Sequence, residues 1–298
     1  MKSQQLTLTV LALLLVFSGF LPKVGQAATT INATNKFAYG ANIGWMDWRG
    51  DTNSGAVIGE YVCSGYIYSA NVGWIHLGDG TPTNAIQYQN NSTTDYGVNH
   101  DGQGNLRGYA YGANIGWINF ENLGAAKVDL ATGRLTGSAY SANCGWISLS
   151  NLFAFVETDH MQPGADTDGD GIADAWERTY TNSLGSFTAT SDTDHDGVSD
   201  KNEYFADTNP LDPNSVFLIR TNSVLLVAGT EFNTLTWNSR PTRQYRIQTS
   251  TSLNPANPFT NATGVLNPSS GVTTTNTVIL PGQPSQRFFR VQAFLPLP

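Results

Sequence analysis

Ala110-Tyr-Gly-Ala-Asn-Ile-Gly-Trp117-Ile118 decides the fold of this chain, because it recurs. The same phrase is written Ala38-Tyr-Gly-Ala-Asn-Ile-Gly-Trp45-Met46, then Ile67-Tyr-Ser-Ala-Asn-Val-Gly-Trp74-Ile75, and last Ala139-Tyr-Ser-Ala-Asn-Cys-Gly-Trp146-Ile147. The Trp spacings are 29, 43 and 29, so a two-repeat block is duplicated at an offset of 72 residues. Self-similarity at such a period is the mark of a repeat architecture. Each copy reads as a strand, a tight Asn-x-Gly connection and a second strand. The expected fold is mainly β: an antiparallel repeat domain over 28–156, either a meander or propeller-like.

Side chains alternate across a strand. Ile118 and Phe120 therefore share one face, and Trp117 and Asn119 the other. Each hairpin has an aliphatic face and a Trp/Tyr face. The residue two after Trp is polar in every copy: Asp47, His76, Asn119 and Ser148. Identical Trp in every copy points to identical packing, with the aromatic face stacked as core. The alternative is an exposed platform in which Trp45, Trp74, Trp117 and Trp146 bind glycans by stacking.

Beyond the repeats lie two acidic loops. Asp166-Thr-Asp168-Gly-Asp170-Gly171-Ile172-Ala-Asp174-Ala-Trp-Glu177 begins 26 residues before Asp192-Thr-Asp194-His-Asp196-Gly197-Val198-Ser-Asp200-Lys-Asn-Glu203. Both fit the D-x-D-x-D-G calcium loop that ends in Glu at position 12. Calcium takes six to eight oxygens at roughly 2.3–2.6 Å, drawn from positions 1, 3, 5, 7, 9 and 12. Here these are Asp166, Asp168, Asp170, the Ile172 carbonyl, Asp174 and Glu177. In the second loop they are Asp192, Asp194, Asp196, the Val198 carbonyl, Asp200 and Glu203. Two Ca2+ sites are expected. Without a cation, five acids within 12 residues repel one another.

Pro163 and Gly164 precede the first loop and argue against an entering helix. Short helical turns are expected after each loop. The order is thus loop–helix, linker, loop–helix over 157–215. Asp166 to Glu177 and Asp192 to Asn214 resemble the thrombospondin type 3 calcium repeats of secreted bacterial proteins. The characteristic Asp/Gly-Thr-Asn/Asp-Pro-x-x-Pro tail is matched by Asp207 to Pro213. Dockerin modules also pair two loop–helix units, but usually carry Asn at position 3 and Asp at position 12, where this chain has Asp168 and Glu177. The resemblance implies a calcium-stiffened spacer in an extracellular or surface protein.

Residues 216–298 read as a third region of short strands. Leu235-Thr-Trp237 and Tyr245-Arg-Ile247 alternate as sandwich-core positions. The pattern is similar to fibronectin type III domains and implies a β-sandwich.

The remaining signals set the compartment and exclude functions. Lys2, the apolar run Leu6–Leu21 and Gly25-Gln26-Ala27 read as a signal peptide over 1–27, cleaved near Ala27. Secretion, or retention at a bacterial surface, is expected, with no membrane span in the mature chain. Net charge is −8, but the loops hold ten of the 23 acids, and no Lys/Arg cluster suggests nucleic acid. Cys63 and Cys144 are the two cysteines, read either as a disulfide or as two buried thiols. No G-x-S-x-G, H-E-x-x-H or C-x-x-C occurs. The expected function is non-catalytic: structural or adhesive, with calcium rigidifying the joint between two β-domains. Carbohydrate binding is the alternative, and glycans or cell-surface proteins are the expected partners.

Overall fold

The computed structural model describes residues 28–298 except 51, 255, 257, 282–285 and 298. The expected signal peptide, 1–27, lies outside the described residues. The chain is mainly β, in antiparallel sheets, with two short α-helices among the described residues. None of these helices is long and apolar enough to cross a membrane.

Each copy of the repeat is a hairpin. Counting only the strands the repeats form, these are β1–β2 (Ile31–Gly40, Gly44–Asp47) and β3–β4 (Tyr66–Ser69, Gly73–His76). They continue as β5–β6 (Leu106–Gly112, Gly116–Asn119) and β7–β8 (Ser138–Ser141, Gly145–Ser148). Neighbouring hairpins pair antiparallel at equivalent positions: Asp47 with Tyr68, His76 with Tyr111, Asn119 with Tyr140. The eighth strand then returns to the first, placing Ser148 opposite Tyr39. Of the two forms expected, the chain takes the meander and closes it into a barrel. Closure removes the exposed edges that a free sheet presents.

The assigned alternation holds, and the barrel decides which face is inside. Ala38, Met46, Ile67, Ile75, Ala110, Ile118, Ala139 and Ile147 all point inward and are buried. Within each hairpin the two inward residues face each other across the ladder, as Ala110 does Ile118. The expectation that the Trp/Tyr face is core is overturned. Trp45, Trp74, Trp117 and Trp146 are 48, 47, 43 and 50 % exposed. The reason is volume: an eight-stranded barrel has an interior just wide enough for side chains to fill. Eight small and aliphatic residues already fill it. Outside, each Trp leans on the Tyr paired with it, centroids 4.8–5.0 Å apart.

The two ends of the barrel explain the rest of the motif. Three residues after each Trp stands Trp48, Leu77, Phe120 or Leu149, all buried, closing one end. At the hairpin end, Ile43, Ile115 and Cys144 turn inward as the plug. The Asn of the motif there bonds the preceding hairpin. Asn71 Nδ2 donates to Ile43 O at 2.9 Å, Asn114 to Val72 O at 3.1 Å and Asn143 to Ile115 O at 3.0 Å. Asn42 donates to Cys144 O at 3.1 Å and completes the ring. The following Gly has φ between +70° and +79° in all four turns. A side chain there would be strained in its backbone, and at Gly44 it would also crowd the Asn71 amide.

Residues 219–294 form two three-stranded antiparallel sheets. One contains 219–227, 230–238 and 273–281; the other contains 244–250, 260–261 and 288–294. Leu235, Trp237 and Val278 of the first pack on Tyr245 and Ile247 of the second, a two-layer sandwich core. Cys63 and Cys144 are free and buried, so no disulfide joins them. Burial pushes the Cys63 thiol up to about 12.

Candidate metal centre

The two acidic loops fold alike. In the first, Asp166 caps its own loop: its carboxylate accepts Gly169 N at 2.7 Å and Gly171 N at 2.9 Å. In the second, Asp192 accepts Asp196 N at 3.1 Å and Gly197 N at 3.0 Å. Loop positions 4 and 6 are left-handed in both, at Gly169 and Gly171, then at His195 (φ 65°) and Gly197. His195 sustains this with its Nδ1 hydrogen-bonded to Asp192 O at 2.8 Å. This winding brings Asp166, Asp168 and Asp170 together, one carboxylate oxygen of each within 4.8 Å of the others. Asp192, Asp194 and Asp196 form the same group in the second loop. Ile172 is buried and Val198 half-buried, each at position 7.

Each loop leads into a helix: α1 (Asp174–Tyr180) and α2 (Asp200–Ala206). The acids at position 9 open these helices and brace the loops. Asp174 accepts Thr167 N at 2.7 Å and Thr167 Oγ1 at 2.5 Å. Asp200 accepts Thr193 N, Thr193 Oγ1 and Ser191 Oγ at 2.6–3.0 Å. Both oxygens of each are thus engaged by the protein.

The position-12 glutamates show what the loops lack. Glu177 and Glu203 are both 0 % exposed. Among the described residues, both Glu177 oxygens have no hydrogen-bond partner, and Glu203 Oε2 has none. Burial, followed by the charges of Asp168 and Asp170, pushes Glu177 up to about 8. Burial raises Glu203 to about 7 against the hydrogen bond from Thr208. Asp170 Oδ2, Asp194 Oδ2 and Asp196 Oδ2 are likewise buried without a partner. Orphaned buried carboxylate oxygens are costly, and here they cluster by loop. The donor set is all carboxylate and carbonyl oxygen, which suits a hard cation such as calcium.

Residues 166–183 and 192–213 match the bacterial TSP3 repeat. No curated protein and no solved structure matches the chain. The TSP3 repeats and the clustered Asp residues together point to calcium binding.

The TSP3 segment is packed into its surroundings. Lys201 of α2 donates to Asp170 O at 2.9 Å, linking the second repeat to the first loop. Ile172, Trp176, Phe187 and Tyr204 form its core, with Tyr61 of the barrel and Leu295 of the C-terminal region against it. Tyr204 OH donates to Glu60 Oε2 at 2.8 Å. Arg243, from the sandwich, donates to Tyr204 O at 2.7 Å and Phe205 O at 3.1 Å. Its guanidinium also lies 4.0 Å from Glu60 and 3.9 Å from Asp207. Burial raises Glu60 above the ordinary carboxylate value, and Arg243 opposes the shift. Nothing in the sequence marks Glu60 or Arg243, since they meet only when three regions pack.

Proposed function

We propose that this chain is a secreted, non-catalytic protein of the bacterial surface whose two TSP3 loops each hold one Ca2+. Bound calcium supplies the positive charge that the buried glutamates lack. Asp166, Asp168, Asp170, the Ile172 carbonyl and Glu177 would hold the first ion. Asp192, Asp194, Asp196, the Val198 carbonyl and Glu203 would hold the second. Asp174 and Asp200 orient the loops through their threonine partners, and they complete each ligand set through water, as position 9 often does.

The observation that carries this reading is the pair of buried glutamates at position 12, in which both oxygens of Glu177 and Oε2 of Glu203 have no hydrogen-bond partner among the described residues. They sit at the segment that contacts both β-rich regions through Glu60 and Arg243. Ordering the loops therefore fixes the barrel relative to the sandwich, and the role is structural or adhesive. Calorimetric titration of calcium into the full chain tests it. Two sites are expected; no heat and no calcium-dependent change in melting sinks the proposal.

The exposed Trp belt favours a second reading, carbohydrate binding by the barrel face. Trp and Tyr present a large apolar body with a polar handle. Contiguous exposed apolar patches mark interaction surfaces when they are large.

A further inference from the structure

The four outward Trp–Tyr pairs share one internal geometry, yet their surroundings differ. Between the second and third hairpins the Trp spacing is 43 instead of 29. The longer connection carries Tyr96 and the stretch Asn90–Thr93 to the third pair. The Tyr96 ring stands at 86° to Trp117 with centroids 4.9 Å apart, and Tyr109 approaches the same indole at 6.3 Å. These rings and the side chains of 90–93 line a cleft of about 450 Å³. Small-molecule sites run from about 300 to 1,000 Å³.

The lining is held in place from behind. The Tyr96 hydroxyl is hydrogen-bonded to His76 Nδ1 at 2.8 Å. Buried Asp95 accepts Thr83 Oγ1 at 2.7 Å and Gln89 N at 3.3 Å. Asn90 sits in the left-handed region at φ 55°, and its side chain accepts Gly97 N at 3.0 Å. The side chains of Asn91 and Thr93, by contrast, are exposed and have no hydrogen-bond partner among the described residues. Preorganised walls with free polar groups lower the ordering cost of binding.

We propose that the cleft formed by Trp117, Tyr96, Tyr109 and Asn90–Thr93 is a binding site for a neutral saccharide. This rests on the carbohydrate-binding reading of the barrel face and narrows it to one hairpin. The indole offers an apolar plane to the C–H face of a sugar ring. Amide and hydroxyl side chains both donate and accept hydrogen bonds, as a sugar hydroxyl does. Among the described residues no Asp, Glu, Lys, Arg or His lines the cleft, so an uncharged ligand is matched better than a phosphorylated or uronic one. A purely apolar ligand would leave the polar wall without partners.

The test uses the full-length, calcium-loaded protein. Cellohexaose, maltohexaose, chitohexaose and xylohexaose are titrated calorimetrically, beside hexaproline, because proline-rich peptides also dock on aromatic grooves. At least one saccharide is expected to bind. Trp117→Ala should weaken it about tenfold or more, a change of about 1.4 kcal/mol. The double variant Asn91→Ala/Thr93→Ala, at exposed unpaired positions that leave folding intact, should weaken it about three- to tenfold. Trp45→Ala, on another hairpin and outside the cleft, should weaken binding less than Trp117→Ala does. Absence of binding by all four saccharides overturns the proposal, as does binding of hexaproline alone. Equal losses in Trp45→Ala and Trp117→Ala also overturn it, since the whole belt would then be the platform. The titrations are repeated in EGTA. Saccharide binding with no calcium binding sinks the calcium reading alone; calcium binding with no saccharide binding sinks this one alone.

Discussion

Tyr204 donates its hydroxyl to the buried carboxylate of Glu60 at 2.8 Å, one residue after the Glu203 of the second TSP3 loop. A single side chain thus links a calcium-loop helix to the barrel. Arg243 reaches the same spot from the sandwich. Removing the hydroxyl leaves a buried carboxylate with one donor fewer, which costs about 1–3 kcal/mol. Tyr204→Phe is therefore expected to lower unfolding stability by that amount in a urea titration followed by circular dichroism. A change below about 0.3 kcal/mol would show that the bond is incidental to the joint.

Calcium occupancy is expected to stabilise the chain by mass action. Extracellular modules bind calcium at about 10⁻⁴–10⁻³ M, so millimolar calcium adds on the order of 1 kcal/mol per site. Asp166→Ala with Asp192→Ala should remove both the calorimetric heat and the calcium-dependent rise in melting temperature. Unaltered calcium binding in that double variant would falsify the ligand assignment.

Calcium binding is also expected to release protons near neutral pH. In the calcium-free protein Glu177 and Glu203 sit at about 8 and about 7, against an ordinary 4.5. Both are raised, so the stability they contribute is full below 4.5 and is lost as pH rises through 7 to 8. In EGTA, melting at pH 8.5 should fall below melting at pH 6.5, and calcium should shrink the difference. Calorimetry at pH 7 in buffers of different ionisation enthalpy measures the protons released. Heats that do not depend on the buffer would contradict this.

The barrel predicts a partition of the seven Trp residues. Trp45, Trp74, Trp117 and Trp146 are about half exposed, whereas Trp48, Trp176 and Trp237 are buried. Acrylamide should quench four of the seven, with or without calcium. Quenching of fewer than four would mean that the belt is covered in solution.

The asparagine ring should carry measurable stability. Asn114→Ala removes one amide-to-carbonyl bond between hairpins and should cost about 0.5–1.5 kcal/mol. Phe120→Ala, at the opposite end, empties a buried site and should cost about 3–5 kcal/mol. Equal effects of the two in urea unfolding would argue against a filled, closed barrel.

Much of this was legible in the chain. Alternation placed Ile118 and Trp117 on opposite faces, and the acidic loops were readable position by position. What alternation cannot state is which face lies inside. That depends on how many strands close, and the Ser148–Tyr39 pairing that closes them spans most of the barrel sequence. Asp174 and Asp200 fit the ligand pattern, but the pattern does not show that Thr167 and Thr193 already occupy them. Tyr96 carries no motif at all. Its only trace is the longer Trp spacing, which marks an insertion without saying what it covers.

The Asn42-to-Cys144 bond has a consequence for how such a protein can change. A linear stack of repeats can gain or lose a unit at either end. Here the first hairpin is also the last one's neighbour, so the copy number is fixed by geometry at four. A fifth hairpin would have to break the amide ring and widen an interior that its side chains already fill. Length can enter only at the opposite end, between hairpins, which is where the longer connection bearing Tyr96 was accepted. Novelty in this architecture is confined to its loops, while its circumference is locked.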